Sequence, residues 1–461
     1  MKLIYQHTGR VLSVLLMGLA LALPWGQANA QLDIHGINGG TTAGEATFNL
    51  YAFPFNMNLP EGSSLQMWGF GDQNAGANAT HPDGGGYNLP QYPGPTLLVT
   101  AGDSVTINLT NSGVPHPVSI VVTGHNVTAT RTDGNASHGL VTEAASVGES
   151  VSYTFDAPEP GTYLYHSLDG SNPGLHVEMG LLGVLVVRPA DGSRTAYGAG
   201  TETDYEQEFL YLLTEVDPEI HLQMERGHVT HFTNSDRFAK IWFVNGRVFP
   251  DLFQGDYNPL FPHQPYQSLA LAEPGDRVLV RNINAGHDSH PFHYHGENLR
   301  FVGRDGRMLS SNGSVADLGR SDNTINSAPK QAVDAIWTWT GKDLNWDIYG
   351  HDTAHDCVDT DGDGFGDGPD NTYAHEYCAD HGKPFPVTLP GAGELTLGGW
   401  WSGSPFLGDT GDLPPGEGGL NPFGGYFLVW HSHAEKELTT FDIFPGGSLS
   451  SVVVVPPGTL D

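Results

Sequence analysis

Two short strings concentrate the chemistry of this chain. Ser289-His290-Pro291-Phe292-His293-Tyr294-His295-Gly296 and Trp430-His431-Ser432-His433 each carry a pair of histidines separated by one residue. On an extended strand, residues i and i+2 face the same way, so each string presents two imidazoles to one side. Imidazole is a ligand for copper, zinc, iron and nickel. Two such pairs in one segment point to a metal site rather than to a solvated polar strand. A separate signal is acidic. The run Asp359-Thr360-Asp361-Gly362-Asp363-Gly364-Phe365-Gly366-Asp367-Gly368-Pro369-Asp370 holds five carboxylates in twelve residues. Gly364 stands where a calcium loop turns sharply, and Phe365 stands where such a loop offers a backbone carbonyl. Carboxylates packed this closely repel one another unless a cation joins them. Asp359, Asp361, Asp363, Phe365, Asp367 and Asp370 are therefore the expected calcium ligands. The only cysteines, Cys357 and Cys378, bracket this loop. In an oxidising compartment they are expected to form one disulfide, which leaves no thiolate elsewhere in the chain.

The elements that must position these residues follow from an internal repeat. Residues 96–111 read TLLVTAGDSVTINLTN and residues 268–284 read SLALAEPGDRVLVRNIN. Both run apolar residues into a Gly-Asp turn and then a strand that ends in Asn eight residues after the Asp. GTYLYHS, ending at Ser167, matches GYFLVWHS, ending at Ser432, and each precedes an apolar strand that closes on proline. Short Val/Ile/Thr/Tyr-rich runs between Gly, Pro, Asn and Asp clusters predict an all-β architecture, and 61 glycines with 32 prolines agree with it. The repeat predicts one β-domain over 31–195 and a second over 205–461. An exposed polar linker is expected at 190–206, and an insertion without strand periodicity at 341–393.

Residues 1–30 read as a signal peptide. Lys2 and Arg10 precede the apolar run Val11–Leu23, and Ala28-Asn29-Ala30 supplies a cleavage pattern. No later segment approaches the length of a spanning helix, so a periplasmic or extracellular protein is expected. The formal charge of −33 argues against nucleic acid and acidic lipid as partners, because both select basic patches.

SHPFHYHG and WHSH resemble the third and fourth copper motifs of multicopper oxidases, and YPGPTLLVTAGDSVTINLTN resembles their first-domain opening. The resemblance covers roughly 85–190 and 240–460. It implies two cupredoxin-like Greek-key β-sandwich domains and a copper cofactor. The four cluster histidines it implies are His293, His295, His431 and His433. His290 would belong to a mononuclear type 1 copper, but Ser432 stands at its thiolate position and Glu437 at its second imidazole. Aligning the halves sets Val121-Val122-Thr123-Gly124 against His293-Tyr294-His295-Gly296, so in the first half His166 alone remains as a cluster ligand. YHSLDGSNPGLHVEM also resembles copper nitrite reductases, with Ser167 at the cysteine position and His176 and Met179 left as weaker copper candidates. His125 and His138 are expected to be surface histidines. In this family such ligands meet across a domain boundary, within a chain or between subunits of a homotrimer. These residues imply an exported copper-dependent oxidoreductase with a non-blue histidine centre, acting on a small-molecule or metal-ion substrate. The alternative is a non-catalytic copper binder, or a calcium-stiffened structural protein at the cell surface.

Overall fold

The structure is a computed structural model. It describes residues 33–39, 44–73, 88–139, 142–168, 172, 174–228, 234–342, 344, 346–349, 357–367, 375–383, 411–412, 420–421 and 424–460. The leader at 1–30, Asp370, and about half of the 341–393 insertion lie outside the described residues.

The first half contains strands β1 (Ile37–Asn38), β2 (Glu45–Asn58), β3 (Ser64–Asp72), β4 (Leu97–Thr100), β5 (Asp103–Asn111) and β6 (Val121–Val122). After these come β7 (Val127–Arg131), β8 (Ala136–Gly139), β9 (Ser150–Ala157), β10 (Gly161–His166) and β11 (Leu182–Arg188). The second half begins with β12 (Gln207–Val216), β13 (Ile241–Val244), β14 (Leu269–Ala272), β15 (Arg277–Asn284) and β16 (His290–Tyr294). It continues through β17 (Leu299–Arg304), β18 (Arg307–Met308), β19 (Arg320–Asp322), β20 (Thr324–Ser327) and β21 (Ala332–Thr338). A small ribbon of β22 (Gly411–Asp412) and β23 (Leu420–Asn421) precedes β24 (Tyr426–Ser432) and β25 (Leu449–Val454).

Each half builds two sheets with matching strand order. β3-β2-β5-β9-β7-β8 corresponds to β13-β12-β15-β21-β17-β18, and β4-β11-β10-β6 corresponds to β14-β25-β24-β16, with β1 added at one edge of the first and β20 at the opposite edge of the second. Alternation makes the layers. Along β2 the buried residues are Ala46, Phe48, Leu50 and Ala52, and along β5 they are Val105, Ile107 and Leu109, so one face of that sheet is apolar. It packs on Leu97, Tyr165, Leu185 and Val187 of the other sheet to form the first core. In the second half Tyr211, Val278, Val280 and Trp337 pack on Phe292, Tyr294, Trp430 and Val452 in the same manner. The molecule is thus all-β, with a cupredoxin-like sandwich in each half.

A third apolar cluster joins the halves, with Met57, Leu164, Val184 and Val186 against Leu212, Val216, Phe243 and Ile283. The segment 190–206 is exposed in part and docked in part. Ala196, Thr203 and Tyr205 are buried, and Ala196 and Tyr205 pack on Leu279, Val302 and Ile336. Thr195, Thr201 and Thr203 are buried against that surface, while Asp191, Glu202, Asp204 and Glu206 face water. Among the described residues, no helix is long and apolar enough to cross a membrane.

A buried polar group also crosses between the halves. Arg281 Nε donates to Glu208 Oε1 at 2.6 Å and its NH1 donates to Thr162 Oγ1 of β10 at 2.8 Å, with Asp334 Oδ1 at 3.4 Å. Glu208, Arg281 and Asp334 are 0–2% exposed. Replacing Arg281 with methionine would take the buried cation from Asp334 and leave Glu208 with Arg188 alone. We expect a loss of about 3–5 kcal/mol in urea unfolding, with Arg188 still pairing Glu208 at 2.6 Å. A change within error would mean the network adds nothing to stability.

Candidate metal centre

Strands β16 and β24 pair antiparallel with Phe292 opposite Ser432, His293 opposite His431, and Tyr294 opposite Trp430. Phe292, Tyr294 and Trp430 turn into the core, which sends His293 and His431 to the opposite face. His295 and His433 follow two residues on. The register therefore gathers four imidazoles into one group. Ring centroids are 4.5 Å apart for His293–His295, 5.0 Å for His295–His431, 5.1 Å for His293–His433 and 5.6 Å for His293–His431. His293, His295 and His431 are buried, whereas His433 is exposed.

Hydrogen bonds at the far side of two rings fix their tautomers. His431 Nδ1 donates to the Ser432 carbonyl at 2.7 Å, so the lone pair of the neutral ring sits on Nε2. Thr324 Oγ1 donates to Asn323 Oδ1 and accepts from His293 Nδ1 at 2.8 Å, which likewise leaves the lone pair on His293 Nε2. That buried nitrogen has no hydrogen-bond partner among the described residues. Burial, with His433 alongside, pushes His293 down to about 4, and burial brings His431 to about 4 as well. Both rings are uncharged at neutral pH, the form that binds a metal.

His431 Nε2 stands 2.9 Å from His295 Nε2. Two imidazole nitrogens at about 2.0 Å from one ion are separated by about 2.8 Å at a right angle and about 3.3 Å at a tetrahedral one. The pair therefore already has ligand spacing. Among the described residues no third histidine nitrogen joins it within 4.8 Å, and the one group of three metal-ligating side chains that meets that spacing is Asp359, Asp361 and Asp363. His293 completes a three-histidine set only by turning its ring. A copper ion fits the donor chemistry, with two nitrogens in place and a third poised.

The other sequence candidates are placed elsewhere. His166 is buried at the end of β10, with Nδ1 3.0 Å from the Ser167 carbonyl, and burial next to Lys330 and His287 pushes it down to about 4. His176 and Met179 are fully buried in the first half, where Ser167 Oγ lies 2.7 Å from His176 Nδ1. His125 is not a surface histidine. It is buried, edge-on to Tyr163 and Phe155 at 4.6 and 5.1 Å. The side chain of His138 lies outside the described residues.

His116 was not expected. Its ring lies 5.9 Å from that of His176 and 5.3 Å from that of Trp68. The signal was present, because His116-Pro117 repeats the His290-Pro291 dipeptide of the second half.

In the acidic loop, Asp359 accepts from the amides of Gly362 and Gly364, and Asp363 accepts from Phe365. Asp367 does not join the three clustered carboxylates, and instead accepts from Thr360. Cys357 and Cys378 are disulfide-bonded.

Residues 80–192 match the family model of the multicopper oxidases. The chain is 36% identical over 110 residues to an L-ascorbate oxidase of Cucurbita pepo var. melopepo, covering 23% of this chain and 18% of that protein. It is 34% identical over 265 residues to a copper-containing nitrite reductase of Pseudomonas chlororaphis, covering 55% of this chain and 56% of that one. The chain thus spans from under a fifth to somewhat over half of the relatives' length. Among solved structures, the multicopper oxidase mgLAC superposes with a TM-score of 0.51 at 17% identity, covering 88% of this chain and 86% of that one. A blue copper oxidase from Nitrosomonas europaea gives 0.50 at 17% identity, covering 88% and 85%. At this identity the structural likeness speaks for the fold.

Both cysteines are consumed by the disulfide and none is free, so no thiolate is available to a metal. Protein loaded with Cu(II) should therefore lack the intense blue absorption of a thiolate-bound copper. A strong blue band in the visible spectrum would contradict the placement of Ser167 and Ser432.

Proposed function

We propose that this chain, which belongs to the multicopper oxidase family, is an exported copper-dependent oxidoreductase with a non-blue, all-histidine centre in its second half. The observation that carries the reading is the His295–His431 pair at 2.9 Å, beside the buried Nε2 of His293, which has no hydrogen-bond partner among the described residues. Export is supported by the leader pattern at 1–30 and by the Cys357–Cys378 bridge, since disulfides persist in oxidising compartments.

His293, His295 and His431 would hold the ion, and exposed His433 would face its open side. Copper would supply one-electron redox chemistry. The chain's part is positional: the Ser432 carbonyl and Thr324 hold His431 and His293 in the tautomer with the lone pair on Nε2, the His293 ring would turn to join the pair, and the core behind β16 and β24 fixes the strand spacing. With no thiolate relay, a reductant must approach the histidines themselves, and His433 marks the accessible edge.

Metal analysis after dialysis against a weak chelator tests this. Wild type should retain one to two copper ions per chain. His293→Ala and His431→Ala should each weaken binding by more than the ~10–100-fold typical of changes to the groups that orient ligands, while the exposed His228→Ala should retain wild-type copper. Equal copper in all samples would overturn the centre. Copper retained without oxygen uptake on phenols or reduced metal ions would leave a binding protein rather than an oxidase.

The acidic loop supports a second, structural ion. Asp359, Asp361 and Asp363 bring carboxylate oxygens within 4.8 Å of one another, and we assign calcium to them. Calcium should raise the melting temperature of wild type but not of the Asp359→Asn/Asp361→Asn variant. Identical melting with and without calcium in the wild type would remove this assignment.

A further inference from the structure

The family resemblance places a mononuclear copper at His290, Ser432 and Glu437, and the residues present do not fit one. We infer that this position is a metal-free ionic clamp, in which a protonated His290 bridges Glu437 and Glu215 and ties the second half to the first. The inference is independent of copper at the four-histidine centre.

The geometry is direct. Glu437 Oε2 accepts from Ser432 Oγ at 2.6 Å and from His290 Nδ1 at 2.9 Å. Those are the two side chains that would converge on the metal, so a carboxylate oxygen from the third ligand position has become their common target. His290 Nε2 donates to Glu215 Oε2 at 2.7 Å. A ring with a carboxylate oxygen at each nitrogen carries a hydrogen on both, and has no lone pair to give an ion. A positive ring replaces the metal's charge.

The clamp continues. Glu215 Oε1 lies 2.9 Å from Arg237 NH2 and accepts from the amides of His287 and Asp288. Arg237 Nε donates to Glu178 Oε2 at 2.6 Å. Glu178 belongs to the first half, on the short helix Leu175–Glu178 that also carries His176, and it accepts from the Asp217 amide at 2.6 Å. Glu178, Glu215, Arg237 and His290 are 0–2% exposed and Glu437 is 8% exposed. The other titratable groups around the chain are His221 and His287, 3.7 and 3.8 Å from Glu178, and Asp288 at 3.2 Å from Arg237. Lys330 acts on Glu215 from further away. Buried charges without partners cost several kcal/mol each, so the network stands or falls as a unit. His290 opens β16 and Ser432 closes β24, which makes His290, Ser432 and Glu437 positioning residues for the strands that carry the histidine pairs.

Burial alone would lower His290, but Glu215 and Glu437 outweigh it and hold the ring up at about 10. A folded value above the unfolded one of about 6.5 stabilises fully below pH 6.5 and loses that contribution as pH climbs through about 10.

Three measurements on metal-free, full-length protein test the clamp. Nitrogen-15 NMR of the wild type should show His290 with both ring nitrogens protonated at pH 8; a neutral tautomer there would overturn the proposal. Glu437→Gln should raise the unfolding equilibrium constant at least tenfold at pH 7, and should flatten the stability loss between pH 6.5 and 10. Cobalt(II) should give a thiolate-to-metal band only in the Ser432→Cys/Glu437→His double variant. Wild type that binds cobalt here, and loses one equivalent in His290→Asn without loss of stability, would show a live metal site instead of a clamp. The NMR measurement decides the question even if a variant fails to fold.

Discussion

The antiparallel pairing of β16 with β24 is the constraint on which the rest of this molecule depends. One register sets His293 against His431 and Tyr294 against Trp430, so aromatic rings fill the core while imidazoles collect on the other face. A slip of one residue would exchange the two sets. It would bury the imidazoles among Tyr211 and Trp337 and expose Trp430. The core therefore enforces the site. Tyr294 and Trp430 at 5.0 Å, and Trp337 and Trp430 at 5.4 Å, make any other register expensive, and the indole Nε1 of Trp430 donates to the His295 carbonyl at 2.9 Å. Packing on one face and ligand geometry on the other are one decision.

Charge is distributed with the same economy. The chain has 19 Lys and Arg against 52 Asp and Glu, yet several of its scarce cations are inside. Arg237, Arg247 and Arg281 have side chains that are 0–2% exposed. Arg237 joins the halves through the Glu178 carboxylate and Arg281 through the Thr162 hydroxyl, and Arg247 spans the Gln254 and Gln264 carbonyls. Buried carboxylates, among them Glu178, Glu208, Glu215 and Asp334, accompany these cations, and the outer surface keeps a large excess of acidic groups. Such a surface repels anions and draws cations towards the molecule, an effect that salt screens. It suits a chain whose histidine centre and acidic loop both call for metal ions.

Much of this was legible in sequence, for identifiable reasons. Strands such as β5 and β15 announce themselves because a Gly-Asp turn followed by strict alternation has few other solutions. The histidine pairs announce themselves because the period of a strand is two. The four-ring cluster followed from those facts, and the disulfide followed from having only two cysteines. The partners of His290 were not legible. Glu215, Arg237 and Glu178 come from separate segments, and nothing local distinguishes a glutamate that will be buried against an arginine from one that will face water. The partial burial of 190–206 was hidden for a related reason: its polar composition satisfies turns, and Ala196 and Tyr205 are too few to register as a core. His116 was within reach, since its His-Pro dipeptide recurs at 290–291, but the extra residues between it and Val121 concealed the match.

The two halves show how little separates a metal site from a structural one on this scaffold. Val121 sits opposite His166 in the register that sets His293 opposite His431, so the backbone for a first-half histidine pair is intact while the ligand is a valine. At both thiolate positions a serine survives, and each has found a polar partner: Ser167 lies 2.7 Å from His176 Nδ1, and Ser432 donates to Glu437. A buried hydroxyl left without a partner would itself be destabilising, so the loss of a metal thiolate obliges the surrounding residues to close the gap with hydrogen bonds. In the first half the imidazole of His176 is enough to partner the serine, in a pocket shared with Met179, Trp68 and His116. In the second half Glu215 and Arg237 already bring charge to the same spot, and a neutral replacement would leave Glu215 with only Arg237 to balance it. An added carboxylate that holds His290 in its charged form satisfies the serine, the imidazole and Glu215 together. The divergent fates of two equivalent positions thus follow from the charges that happened to lie behind each.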